Sequence, residues 1–132
     1  MSGVGVRLPS HLTATGRAIL SALPRNQVRA LYPNRQAFTD RTGIGPKSPK
    51  ELEATLAETQ RTGFAEEHGD VTPGFDSYAV AVRDYNDFPI AGLALTFVSG
   101  SLRPEQERSL KTKLRLAGTE LSRRLGAGGS LT

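Results

Sequence analysis

From residue 11 onward apolar positions recur at helical spacing. Leu12, Thr15, Ile19 and Ala22, with Ala14, Ala18 and Leu23 alongside, put small and aliphatic groups on one side of a 3.6-residue period. Ser10 is the expected N-cap and Pro24 the stop. A second short helix over Arg25 to Leu31 turns Val28 and Leu31 inward before Pro33. Phe38 to Gly43 reads as a loop, rich in side chains that hydrogen-bond their own backbone. Ser48-Pro49-Lys50-Glu51 is a capping box with proline at the first helical position, so a helix starts there. Its buried line is Leu52, Leu56 and Thr59, and Gly63 stands where a left-handed C-terminal cap is needed.

Beyond Gly63 the period falls toward two. Phe64 to Glu67, Ser77 to Arg83 and Ile90 to Val98 read as strands, with a loop over Gly69 to Gly74 and a turn over Asp84 to Pro89. The last two strands form an antiparallel hairpin. Ile90 to Val98 is apolar at both parities, which predicts a central strand covered on both faces. Pro104 to Leu125 is a long helix with Leu110, Leu114, Ala117 and Leu121 on one stripe, stopped by Gly126. Residues 127–132 read as a flexible tail after a domain over 1–126, and residues 1–9 as a lead-in segment or an incomplete strand. The pattern is that of an α+β protein. Three strands make a lean sheet for four helices, so either a second chain completes it or this is part of a larger domain.

Composition narrows the chemistry. The 132 residues suit one domain, and the absence of cysteine excludes disulfides, thiolate nucleophiles and Cys-ligated metal. No apolar run nears the roughly 20 residues that span a bilayer, and no secretory leader pattern is present, so a soluble cytoplasmic protein is expected. A net charge of +4 favours anions in general. Eight aromatics and scattered Lys and Arg give no stacking platform for single strands.

Enzymatic constellations are missing. His68 among Glu66, Glu67 and Asp70 lacks the partner spacing of a zinc site and reads as a solvated acidic loop, and His11 reads as a local hydrogen-bonding group. There is no nucleophile elbow around Ser77 and no glycine-rich phosphate loop. The basic residues of the last helix read as its outer face, not as a groove-reading element. No cofactor is implied and an enzyme is not expected. Thr13-Ala14-Thr15-Gly16 places two hydroxyls and small residues at a helix start, where backbone N–H groups suit a carboxylate or phosphate. Close packing against the sheet accounts for the same residues, and both readings stand.

Pro9-Ser10-His11-Leu12-Thr13-Ala14-Thr15-Gly16-Arg17-Ala18 resembles the P-L-H-A-T-A-x-G-K-A segment of IclR-type transcriptional regulators. Phe38-Thr39-Asp40-Arg41-Thr42, Thr62-Gly63-Phe64-Ala65, Ala79 to Asp84 and Leu121 to Gly126 resemble later segments of that family in the same order. The resemblance implies a GAF-like effector-binding domain with a curved antiparallel sheet flanked by helices, here without its first helix and strands. It implies a module that senses a small anionic metabolite, such as an organic or aromatic acid, and forms homo-oligomers, with DNA contacted only through a domain not in this chain. A free-standing GAF-like binding protein or enzyme is the alternative. Carried over position by position, the family's effector pocket falls on Ala14 and Thr15 at the helix start, on Asp70, on Ser77 where a Cys is common, and on Ala94 and Thr96, with Thr13 beside them. Leu12, Arg17 and Ala81 depart from the family pattern.

Overall fold

The computed structural model describes residues 8–128. Helix α1 spans Ala14–Ala22, later than the sequence predicts. The Pro9 carbonyl accepts the N–H groups of Leu12 and Thr13 in a tight turn, so Ser10 caps nothing helical and the Thr13 hydroxyl takes the Gly16 N–H at 2.9 Å instead. Pro24 separates α1 from α2, Arg25–Leu31, which has the predicted bounds. A 3₁₀ turn over Arg35–Ala37 follows.

Helix α3, Pro49–Thr62, starts at the predicted cap. Ser48 accepts the Glu51 N–H, but the Glu51 carboxylate reaches one residue further back and takes the Lys47 N–H. The buried line is Leu52, Leu56 and Thr59 as predicted, and Gly63 ends the helix at φ +85°, a conformation only glycine adopts without strain.

Strands β1 (Ala65–His68), β2 (Phe75–Arg83) and β3 (Pro89–Val98) form one antiparallel sheet in the order β1-β2-β3. The central strand is therefore β2, with Ser77 to Val80 buried on both faces. The expectation for Ile90 to Val98 is corrected for the described residues: among them β3 is an edge strand, with Ile90 48% and Val98 56% exposed. An apolar run at both parities reports surface that needs cover, and within residues 8–128 nothing pairs with the outer edge of β3.

Helix α4, Pro104–Arg124, lies on the opposite face from α1. Its stripe is corrected too. Leu114 and Gly118 are its buried residues, whereas Ala117 and Leu121 are exposed. A Cβ at Gly118 would stand 2.6 Å from Val80 Cγ2, so the missing side chain lets α4 approach β2 along Leu114–Gly118 and swings Leu121 off the sheet. Past the helix, Gly126 bridges to Asp84 and the Ala127 N–H returns to the Ser122 carbonyl. The predicted tail otherwise lies, at 129–132, outside the described residues, as does most of the predicted lead-in. Among the described residues no helix is long and apolar enough to cross a membrane.

Alternation along the strands gives the sheet two unlike faces. Under α1, Ala14 and Ala18 meet Ala65 and Ala79. Under α4, Leu114 meets Phe64, Tyr78 and Val80, with Leu93 and Phe97 beside them. A third cluster, Leu20, Val28, Leu52 and Leu56, joins α1, α2 and α3 away from the sheet.

Candidate functional site

On the α1 face β2 and β3 present three facing pairs of small groups: Ser77 opposite Thr96, Ala79 opposite Ala94 and Ala81 opposite Gly92. A Cβ at Gly92 would lie 2.9 Å from Thr15 Cβ, so the glycine lets the first turn of α1 rest directly on β3. Past that contact the helix ends and the small side chains no longer have a partner. A cavity of about 390 Å³ opens there, within the range of small-molecule sites.

Its walls bring together Thr13, Ala14 and Thr15 from the start of α1 and Ser77, Ala94 and Thr96 from the sheet. Val71, Thr72 and Phe75 close the side formed by the β1–β2 loop. The Ser77 and Thr96 hydroxyls are hydrogen-bonded to each other at 2.8 Å, which leaves the pair able to turn one proton and one acceptor toward a guest. Thr13 accepts from the Gly16 N–H and keeps its own O–H proton to donate. Ala14 and Thr15 occupy the first turn, whose N–H groups have no intrahelical acceptor and carry the positive end of the helix dipole.

Asp70 stands apart from this group and is not on the cavity wall. It is 4% exposed, and its Oδ2 lies 2.5 Å from Arg17 Nη2 while Oδ1 accepts the His68 N–H. Arg17 also donates to the carbonyls of His11 and Glu66. Arg17 is 5% exposed, and a buried guanidinium requires a counterion, which Asp70 supplies. The signal was present in the sequence, as a charge on the apolar side of α1.

The carboxylate that does reach the cavity is Glu67, which sequence reasoning missed. It is 4% exposed, and its Oε2 accepts the Asp70 N–H at 3.1 Å. Its place could have been read from the two-residue period, because Glu67 shares the inward parity of Ala65 in β1.

The two histidines lie elsewhere. His11 is buried against the rings of Tyr32 and Phe38, with Nε2 2.8 Å from the Thr39 carbonyl. Burial lowers its pKa below 6.5 despite that bond. It is thus a long-range tie, where the sequence suggested a local one. His68 stands half-exposed between Glu66 and Asp76, at 3.1 and 3.0 Å. Desolvation alone would lower its pKa, but the hydrogen bonds and charges of Asp76 and Glu66 outweigh it and raise it above 6.5. Among the described residues no group of three or more metal-ligating side chains occurs.

The family model for the C-terminal domain of bacterial IclR transcriptional regulators matches residues 1–123. The chain belongs to the IclR family. It is 32% identical to the glycerol operon regulatory protein of Streptomyces coelicolor over 131 residues, 95% of this chain and 49% of that protein. The solved structure of the Agobacterium tumefaciens repressor BlcR superposes with a TM-score of 0.78 at 30% identity, covering 95% of this chain and 51% of that one. A double mutant of the inducer-binding domain of the Acinetobacter PobR transcription factor, solved with 3-hydroxybenzoic acid, shares the fold at a TM-score of 0.74 and 22% identity, covering 91% of this chain and 69% of that one. This IclR-family chain spans about half the length of the curated relatives it matches.

Proposed function

We propose that this chain is the effector-sensing and oligomerising module of a cytoplasmic transcription regulator, and that the cavity at the start of α1 holds a small organic acid. The observation that carries this reading is the meeting of Thr13, Ala14, Thr15, Ser77, Ala94 and Thr96 on one wall system. The ligand carboxylate accepts from the N–H groups of Ala14 and Thr15, and the Thr96 hydroxyl adds a donor from the sheet. Glu67 takes the part that the resemblance had given to Asp70. A carboxylate there repels a second ionised acid and favours a ligand hydroxyl or amine as its donor. The 3-hydroxybenzoic acid held by the PobR domain has this pairing of acid and hydroxyl, which supports the class and not the compound. Regulator names among the relatives favour sensing over a free-standing enzyme. DNA is contacted through another part of the full protein, so the isolated chain binds DNA weakly and with strong salt dependence.

The test is a thermal-shift screen of small carboxylates, 3-hydroxybenzoate among them. A ligand at 100 times its Kd adds about 2.7 kcal/mol. Thr96→Val keeps the shape and removes a donor, so affinity falls by about 0.5–1.5 kcal/mol. Ala14→Leu fills the approach to the backbone and costs more. A ligand whose affinity ignores both substitutions binds elsewhere and sinks the assignment.

A further inference from the structure

A second concavity lies away from the sheet. Helices α2 and α3 splay over α1 and leave a groove of about 630 Å³. Leu20, Leu52 and Leu56 form its floor, and Leu23, Val28 and Tyr32 its flanks. Ala54 and Ala57 are exposed and short, so the α3 wall stays low. At its mouth Arg25 and Arg29 of α2 converge on the single carboxylate of Glu53 of α3. Arg25 is hydrogen-bonded to it, and Arg29 Nη2 lies 3.6 Å away. Helix α2 carries no acid, so two guanidiniums share one carboxylate and one positive charge is left over at the rim of an apolar trough.

We propose that this groove is a second ligand site for an amphiphilic organic acid, with the apolar body on the leucine floor and the carboxylate on Arg25 and Arg29. The floor offers dispersion and desolvation to a hydrocarbon, and the rim offers the geometry that guanidinium groups use on carboxylates. Length selects a small molecule over a protein partner: α2 has seven residues, about 10 Å of helix. That accommodates a medium-length chain and is too short to seat several turns of a partner helix. The site shares only α1 with the cavity described above, Leu20 at one end and Thr13 to Thr15 at the other, and it does not depend on that cavity's occupant.

The experiment follows backbone amide shifts of the whole chain during titration with sodium octanoate, below its micelle concentration, and in parallel with octanol. Saturating shifts are expected at Val28, Leu52 and Ala57, with octanol at least about ten-fold weaker. The surface double variant Arg25→Gln/Arg29→Gln weakens octanoate by about ten-fold and leaves octanol unchanged. Ala57→Trp, whose folding the same spectrum reports, blocks both probes, and Ala14→Leu blocks neither. Absence of saturable shifts at millimolar octanoate overturns the proposal. Equal affinity for acid and alcohol overturns it as well, and so does loss of octanoate binding in Ala14→Leu, which would put the acid in the α1 cavity.

Discussion

Where α1 crosses the sheet it meets Ala65, Ala79 and Gly92; where α4 crosses the other face it meets Tyr78, Val80 and Phe64. Small groups let α1 approach closely, but they cannot fill space once the helix ends, and the cavity is the result. Large groups fill most of the α4 face, and α4 comes closest to the sheet where Gly118 meets Val80. The Tyr78 and Phe97 rings lie 5.0 Å apart, and Lys111 Nζ stands 4.6 Å from the Tyr78 ring, closing that face with a cation. Burial and the hydrogen bond that Tyr78 donates to Glu107 at 2.7 Å raise the pKa of the phenol, and the same bond lowers that of the carboxyl against its own desolvation. One face thus leaves a cavity and the other is filled by large side chains.

The comparison breaks most severely through Asp70. Asp70→Ala leaves Arg17 buried without its counterion beneath the α1 face, and stability should fall by about 3–5 kcal/mol in urea denaturation. A loss under 1 kcal/mol would mean that Arg17 reaches water. On the opposite face Leu114→Ala should cost about 2–5 kcal/mol, while the folded fraction keeps its ligand affinity. A fall in affinity there would show that the faces are not independent. Gly92→Ala forces a methyl group against Thr15 and should cost about 1–3 kcal/mol, with affinity for the cavity ligand falling in parallel.

The smallest effect concerns His68, on the α4 face. Its folded pKa is raised, so the stability it contributes is fully present below its unfolded value of 6.5 and is lost as the pH rises through the raised value. His68→Gln should therefore destabilise more near pH 6 than near pH 9, by a modest amount because the ring is half-exposed. His11 works in the opposite sense. Its pKa is lowered, so it opposes folding as the pH falls below 6.5, and the His68 effect is read as the difference between wild type and variant at each pH.

The elements with local signals were legible before any coordinates. Ser48, Pro49 and Gly63 bound α3 because caps are short-range chemistry, and the β2–β3 hairpin followed from two apolar runs across a turn. The start of α1 was misread because Ser10 and Thr13 are both good caps, and a carbonyl three residues back from Leu12 decided between them. Among the described residues β3 lies at the edge and not at the centre, because alternation records which surfaces are apolar and not which neighbours exist. At the candidate site, Thr13, Ala14 and Thr15 line one cavity with Ser77, Ala94 and Thr96, as the resemblance groups them. The carboxylate on that cavity is Glu67 and not Asp70: the two are three residues apart, and only the partner of Arg17, far off in sequence, separates their roles.

Alternation along β2 has a consequence for how such a sensor diversifies. Positions 77, 79 and 81 face α1 and the cavity, and positions 78, 80 and 82 face α4, so the two sets can drift under separate selection. The facing pairs on the α1 side are drawn from Gly, Ala, Ser and Thr, each of which differs from the next by one heavy atom. Each exchange among them changes the chamber by about the size of a methyl or hydroxyl group, and a lineage can re-cut the cavity in small steps without disturbing the layer that keeps it folded.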